Sequence, residues 1–190
     1  MKAQLIGAAL LAAALAACGG KASFTVGGTI GGLGNQGLVL QNGSDTLTVA
    51  AGATSFAFPN SIDYGTEYHV SIKTQPEHMT CVVQNPSGSA GRTTVIQVVI
   101  TCTQNTYTVG GKVVNLLGDG LVLVNGSSSG TIPIQKGATS FEVFPAIPVG
   151  DAYGLSVLTQ PSNPAQVCTI ANGTGVMGDA NRTNVVVTCQ

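Results

Sequence analysis

Tyr68-His69-Val70-Ser71-Ile72 alternates large apolar side chains with polar ones, and about 85 residues further on Tyr153-Gly154-Leu155-Ser156-Val157 does so again. A period of two is the pleat of a β-strand, whose successive side chains point to opposite faces, so each stretch predicts a strand with one face buried. Thr46-Leu-Thr-Val49 alternates in the same way. Leu38-Val-Leu40 and Val95-Ile-Gln-Val-Val-Ile100 are more continuous, which suits strands covered on both faces or lying at the centre of a sheet. Beyond the N-terminal segment no window carries a 3.6-residue apolar stripe, so helices are not expected.

Outward from these strands the whole chain repeats. Phe24-Thr-Val-Gly-Gly28 returns as Tyr107-Thr-Val-Gly-Gly111, and Gly37-Leu-Val-Leu-Gln-Asn-Gly43 returns as Gly120-Leu-Val-Leu-Val-Asn-Gly126. Gly52-Ala-Thr-Ser-Phe56 pairs with Gly137-Ala-Thr-Ser-Phe141, Thr74-Gln-Pro76 with Thr159-Gln-Pro161, and Ile100-Thr-Cys102 with Val187-Thr-Cys189. A period of this length exceeds that of solenoid units, so each copy predicts its own small domain, 24–104 and 107–190, joined through Gln104-Asn-Thr106. Asn42-Gly43, Asn125-Gly126, Gly118-Asp-Gly120 and Asn172-Gly173 supply turns, because Asn and Gly accept positive φ at low cost. The second copy inserts residues in Ser127-Ser-Ser-Gly130 and around Ser162-Asn-Pro-Ala165, both between predicted strands, where insertions are tolerated. Short strands, about six or seven per copy with turns about every 8 to 12 residues, predict an all-β chain of two tandem small antiparallel β-sandwich domains.

The cysteines fit the same division. Cys81 and Cys102 are 21 residues apart, as are Cys168 and Cys189. Four cysteines allow three connectivities, and only Cys81 to Cys102 with Cys168 to Cys189 treats the two copies alike, giving one disulfide per domain. Such a bridge would tie the last two strands of each unit. Zinc ligation by the same four lacks any close Cys-x-x-Cys pair. A domain of about 80 residues has little core to spare, so a bridge formed in an oxidising compartment matters to it.

The fifth cysteine belongs to the N-terminal segment. Met1-Lys2 and the apolar run that follows read as an export signal over 1–17, too short to span a bilayer. Leu15-Ala-Ala-Cys18 resembles the lipobox of bacterial lipoproteins at all four positions. The resemblance implies cleavage before Cys18 and lipidation there, palmitate included, with 18–23 as a tether. Gly19-Gly20 rather than an Asp after the cysteine points to the outer membrane. Several acyl chains, at about 0.8 kcal/mol per buried CH₂, would hold such a chain stably.

Composition narrows the function. Charged residues make up 8% of the 190, with seven Lys plus Arg against eight Asp plus Glu and a net charge of −1. No basic cluster exists to neutralise phosphates, which sets nucleic acid aside as a partner. Gly126-Ser-Ser-Ser-Gly130 matches the hydrolase elbow pattern Gly-x-Ser-x-Gly, but that elbow needs a strand-to-helix turn, and the second copy has no histidine to act as base. The two histidines, His69 and His78, both lie in the first copy, with His69 expected to project outward and no third ligand spaced to complete a metal site. Asn42-Gly-Ser44, Asn125-Gly-Ser127, Asn172-Gly-Thr174 and Asn181-Arg-Thr183 fit the glycosylation pattern and read as turns. Neither a metal nor a cofactor is expected. The chain ends one residue after Cys189, so no third repeat is expected.

Gly65-Thr-Glu-Tyr68-His-Val-Ser-Ile72 and Gly150-Asp-Ala-Tyr153-Gly-Leu-Ser-Val157 resemble the Gly-x-x-Tyr-x-Φ-x-Φ opening of a late strand, Φ being apolar, in bacterial immunoglobulin-like and transthyretin-like repeats. The leading Thr-Val-Gly-Gly is similar too. The resemblance implies spacing, adhesion or assembly roles and brings no catalytic residues. It also makes Tyr68 and Tyr153 structural, with the ring packed and the hydroxyl bonded to backbone. The expectation is therefore a non-enzymatic, lipid-anchored structural or interaction module of the bacterial envelope. The alternative is a binding or adhesion protein, taking a peptide strand at a sheet edge or an envelope glycan on its loops. Polar residues unique to one copy and gathered at one end would favour the alternative.

Overall fold

The computed structural model describes residues 22–92, 96–126 and 130–190. Cys18 with the signal, the tether as far as Lys21, Val95 and the Ser127-Ser128-Ser129 stretch lie outside these residues. The first unit runs β1 (Ser23–Gly31), β2 (Val39–Asn42), β3 (Asp45–Thr48), β4 (Ser55–Asp63), β5 (Glu67–Thr74), β6 (Met79–Gln84), β7 (Ser87–Ser89) and β8 (Val98–Gln104). The second runs β9 (Thr106–Tyr107), β10 (Val109–Val114), β11 (Leu121–Asn125), β12 (Thr131–Ile134), β13 (Ser140–Glu142), β14 (Ile147–Pro148), β15 (Ala152–Thr159), β16 (Cys168–Ala171), β17 (Thr174–Val176) and β18 (Arg182–Cys189).

Each unit has two four-stranded sheets in the same order. In the first they are β4-β1-β8-β6 and β3-β2-β5-β7, and in the second β13-β10-β18-β16 and β12-β11-β15-β17, with β9 and β14 paired beside them. One apolar core fills each unit. Val26, Ile30, Phe58, Val98 and Ile100 of one sheet share the first core with Leu38, Leu40 and Val70 of the other, and Val113, Val185 and Val187 meet Leu121, Leu123 and Leu155 in the second. Two sheets around one core make a sandwich. Leu38–Leu40 and Ile96–Ile100 lead into β2 and β8, which are internal strands.

Three expectations need correction. The sandwiches are not wholly antiparallel, because β1 pairs with β8, and β10 with β18, in parallel. Parallel neighbours need a long crossover, and here the rest of the unit supplies it, so its first and last strands close one sheet side by side. Among the described residues the first unit has eight strands and the second ten, rather than six or seven, and in the first Ser87–Ser89 makes a short strand of its own against β5. That strand lies in the opposite sheet between β6 and β8, so the bridge joins the sixth and eighth strands.

The repeated Gly-Gly is explained by crowding around β1. A Cβ on Gly28 would collide with the Val98 carbonyl oxygen, and one on Gly111 with that of Val185. Gly27 and Gly110 face the carbonyl oxygens of Phe56 and Phe141 on the other side. Both strands slip register at this point, at Thr25/Gly27 and at Val109/Gly111, as bulged strands do.

The bridges Cys81–Cys102 and Cys168–Cys189 join residues directly opposite each other, with Cα atoms 3.9 Å and 4.0 Å apart. At such a close pair the backbone groups point away from the partner strand. The repeated Thr-Gln-Pro motif receives them. Cys81 N–H donates to Gln75 Oε1 at 2.8 Å while Gln75 Nε2 donates to the Cys81 carbonyl at 3.0 Å. Gln160 makes the same pair with Cys168, at 2.8 Å and 3.1 Å. One carboxamide thus satisfies and covers the outer side of an edge strand.

The units meet end to end at the joint. Asn105 N–H donates to the His78 carbonyl at 2.8 Å, Val149 N–H donates to the Asn105 carbonyl at 3.0 Å, and Thr80 Oγ1 donates to Asn105 Oδ1 at 2.7 Å. Gln104 Nε2 adds a bond to the Val149 carbonyl at 3.1 Å.

Candidate functional site

The end of the first unit farthest from the joint is built by the β2–β3 hairpin, the start of β5, β7 and the residues after it. The hairpin turns tightly, with Asn42 paired to Asp45 and Gly43 at φ +58°, which places glycine where an L side chain would be strained. Asn42 Oδ1 accepts from His69 N–H at 3.0 Å and ties the hairpin to β5, as Asn125 Oδ1 does from Gly154 N–H at 2.8 Å in the second unit. Asn60 Nδ2 donates to Asp45 Oδ1 at 2.8 Å and ties the hairpin to β4 across the sandwich.

Between these elements lies an open cleft of about 750 Å³. Asp45, Glu67, His69 and Arg92 line it together with Ser87, Ser89, Ile62 and Tyr68. The repeat provides an internal comparison. At the matching positions the second unit has Gly130 for Asp45, Ala152 for Glu67, Gly154 for His69 and Asp179 for Arg92. In a chain with so few charges, three charged side chains and an imidazole unique to one copy converge at one end. Burial alone decides nothing here, since all four are exposed or half-exposed.

The two tyrosines show the same contrast. Tyr68 lies opposite Gly88, and Tyr153 opposite Gly175, with each ring occupying the space above the glycine where a Cβ would stand. The rings are packed as expected, but neither hydroxyl makes the expected backbone bond among the described residues; each reaches over its glycine instead. Tyr153 is 8% exposed and belongs to the second core, whereas Tyr68 is half-buried and contributes to the cleft.

The two histidines do not meet. His69 stands exposed at the cleft end of β5, as its alternation predicts, while His78 follows the far end of that strand and its Nδ1 lies 2.8 Å from Asp179 Oδ1 of the second unit. Among the described residues no three His, Cys, Asp or Glu side chains are placed to hold a metal ion. Asp119, expected as a turn former, lies 3.6 Å from the Lys136 ammonium and pairs through its backbone with Ser162 of the second insertion. Cys18 and Ser127–Ser129 fall outside the described residues. Sequence reasoning did not single out Asp45, Glu67 and Arg92, which are 47 residues apart at their extremes and come together only through the order β3-β2-β5-β7 of one sheet. The signal available in the sequence was their absence from the second copy.

No family model matches the chain, and no curated protein is similar to it. Among solved structures it is similar to the major pilin protein (T3.2) from Streptococcus pyogenes serotype GAS13637, at 12% identity over 89% of this chain and 97% of that one, with a TM-score of 0.35.

Proposed function

We propose that this chain is a non-catalytic binding module of the bacterial envelope, anchored through Cys18, whose contact surface is the end cleft of its first unit. The observation that carries the reading is the gathering of Asp45, Glu67, His69 and Arg92 in one copy only. The two domains are not equivalent in place, since the matching end of the second unit lies at the joint. A binder needs one of them to differ at an accessible end, and here the difference is concentrated at loops and strand ends, where contact residues usually sit on a rigid sandwich. The order of strands supports a transthyretin-like rather than an antibody-like arrangement, since β1 and β2 lie in opposite sheets while antibody domains pair their first two strands in one.

With Cys18 lipidated, the five steps to Ser23 reach at most about 18 Å. The Ala22 carbonyl accepts from Tyr64 N–H beside the cleft end, which supports a reading in which that end is the one nearer the anchor. The test is a crosslinked pull-down from intact envelopes with the full lipidated chain. A partner captured reproducibly, lost with Arg92→Glu and kept with Lys136→Glu at the far end of the second unit, is the expected result. Equal capture by all three chains overturns the cleft as contact surface, and turnover of a captured molecule overturns the non-catalytic assignment.

A further inference from the structure

We infer that the exposed ring of Tyr64 docks the tethered end of the first unit onto the bilayer surface that the Cys18 acyl chains enter. The docking rests on the Cys18 anchor and is independent of what the cleft binds.

The repeat leads to that partner. Tyr64 N–H donates to the Ala22 carbonyl at 3.0 Å, and at the matching place in the second unit Val149 N–H donates to the Asn105 carbonyl at 3.0 Å. In each unit, therefore, one bond receives whatever precedes that unit along the chain. For the second unit this is the first unit, and the receiving end is covered by it. Val149 is half-buried, its carbonyl accepts from Gln104 Nε2 at 3.1 Å, and Asp179 meets His78. For the first unit it is the segment that starts at Cys18. Tyr64 stands there in the place of Val149 and is 69% exposed, the most exposed large hydrophobic side chain among the described residues. The four steps from Cys18 to Ala22 span at most about 14 Å, so a surface that holds the acyl chains lies within reach of the ring.

The ring is fixed before it meets anything. Phe24, itself packed on the first core, lies 6.3 Å from it between centroids at 51°, and a Cβ on Gly91 would collide with it. A side chain already held in place loses little freedom on docking. Tyrosine also has an apolar body with a polar tip, the combination that settles at the level of lipid headgroups. Charge does not supply the attraction, because exposed Asp63 and Glu67 stand near the ring against Arg92 and form no basic patch. The anchor makes a small contact sufficient: once the acyl chains are inserted, docking is intramolecular, and one ring sets which end of the chain meets the surface.

The chain has no tryptophan, so Tyr64→Trp puts a single reporter at the site. The full lipidated chain carrying it is placed in phosphatidylcholine vesicles with and without bromine on the acyl chains near the headgroups. Leu117→Trp, at a 60% exposed position toward the far end of the second unit, is the comparison. The Tyr64→Trp emission should move to shorter wavelength and be lost to bromine, in high salt as in low, while Leu117→Trp emits as in water with either lipid. The natural tyrosine is read by amide NMR in nanodiscs with a paramagnetic headgroup, where broadening of Asp63–Thr66 and Gly91 should lessen in Tyr64→Ser. Absence of quenching in a Tyr64→Trp chain that floats with the vesicles overturns the docking and leaves the anchor standing. Emission at shorter wavelength without quenching means that protein, such as a second copy, covers the ring, and overturns the lipid assignment. Equal quenching of the two tryptophan variants, or equal broadening in Tyr64→Ser, also overturns it. A chain that does not float with the vesicles refutes the anchor, and the docking with it.

Discussion

At the residue scale the most constrained positions are glycines that make no turn. Gly28 and Gly111 sit where a strand passes between two others so closely that a methyl group would enter a neighbouring carbonyl. Gly28→Ala or Gly111→Ala must push strands apart in the centre of a sheet and should cost about 3 kcal/mol. Gly43→Ala meets no atom within 4 Å and strains only its left-handed backbone, at about 1 kcal/mol. Urea unfolding of the three variants checks the ranking, and a Gly28 variant no less stable than the Gly43 one contradicts it. The Thr-Val-Gly-Gly motif was legible in the sequence as a repeat. Its reason was not, because the colliding carbonyls belong to Val98 and Val185, about 70 residues away along the chain. Gln75 and Gln160 are a similar case: their side chains serve cysteine backbones, and side-chain direction cannot be read from the letters Thr-Gln-Pro.

At the element scale each bridge fastens an edge strand, β6 or β16, to the closing strand of its unit. Loops of this length remove about 3 kcal/mol of chain entropy from the unfolded state, and that share is large for a small sandwich. Replacing Cys81 and Cys102 together by Ala should lower the melting of the first unit by roughly 15 °C and leave the second unit's transition in place. Calorimetry resolves this as two peaks where the two moved together or nearly so before; a single peak displaced as a whole would mean that the joint couples the units into one cooperative body. Alternation in Tyr68–Ile72 and Tyr153–Val157 identified β5 and β15, since period two reports one buried face directly. It could not report the neighbour. The parallel contact of β1 with β8 is set by the unit's closure and leaves no local mark in either strand.

At the scale of the whole molecule, two sandwiches stand end to end, held at the joint by backbone bonds through Asn105 and by His78 against Asp179. Asp179 takes the place of Arg92 in the repeat, so one position serves the cleft in the first unit and the joint in the second. The anchoring reading predicts that Cys18→Ser abolishes palmitate labelling and moves the chain out of the membrane fraction; labelling that persists would refute it. The sequence by itself determined the class of strand, the division into two units and the pairing of cysteines that treats them alike, because periodicity and repetition are one-dimensional properties. The tertiary structure alone decided which strands are neighbours and which scattered polar residues share a cleft. Both depend on how the chain closes two sheets around a core, and closure brings together residues whose separation along the chain carries no trace of it.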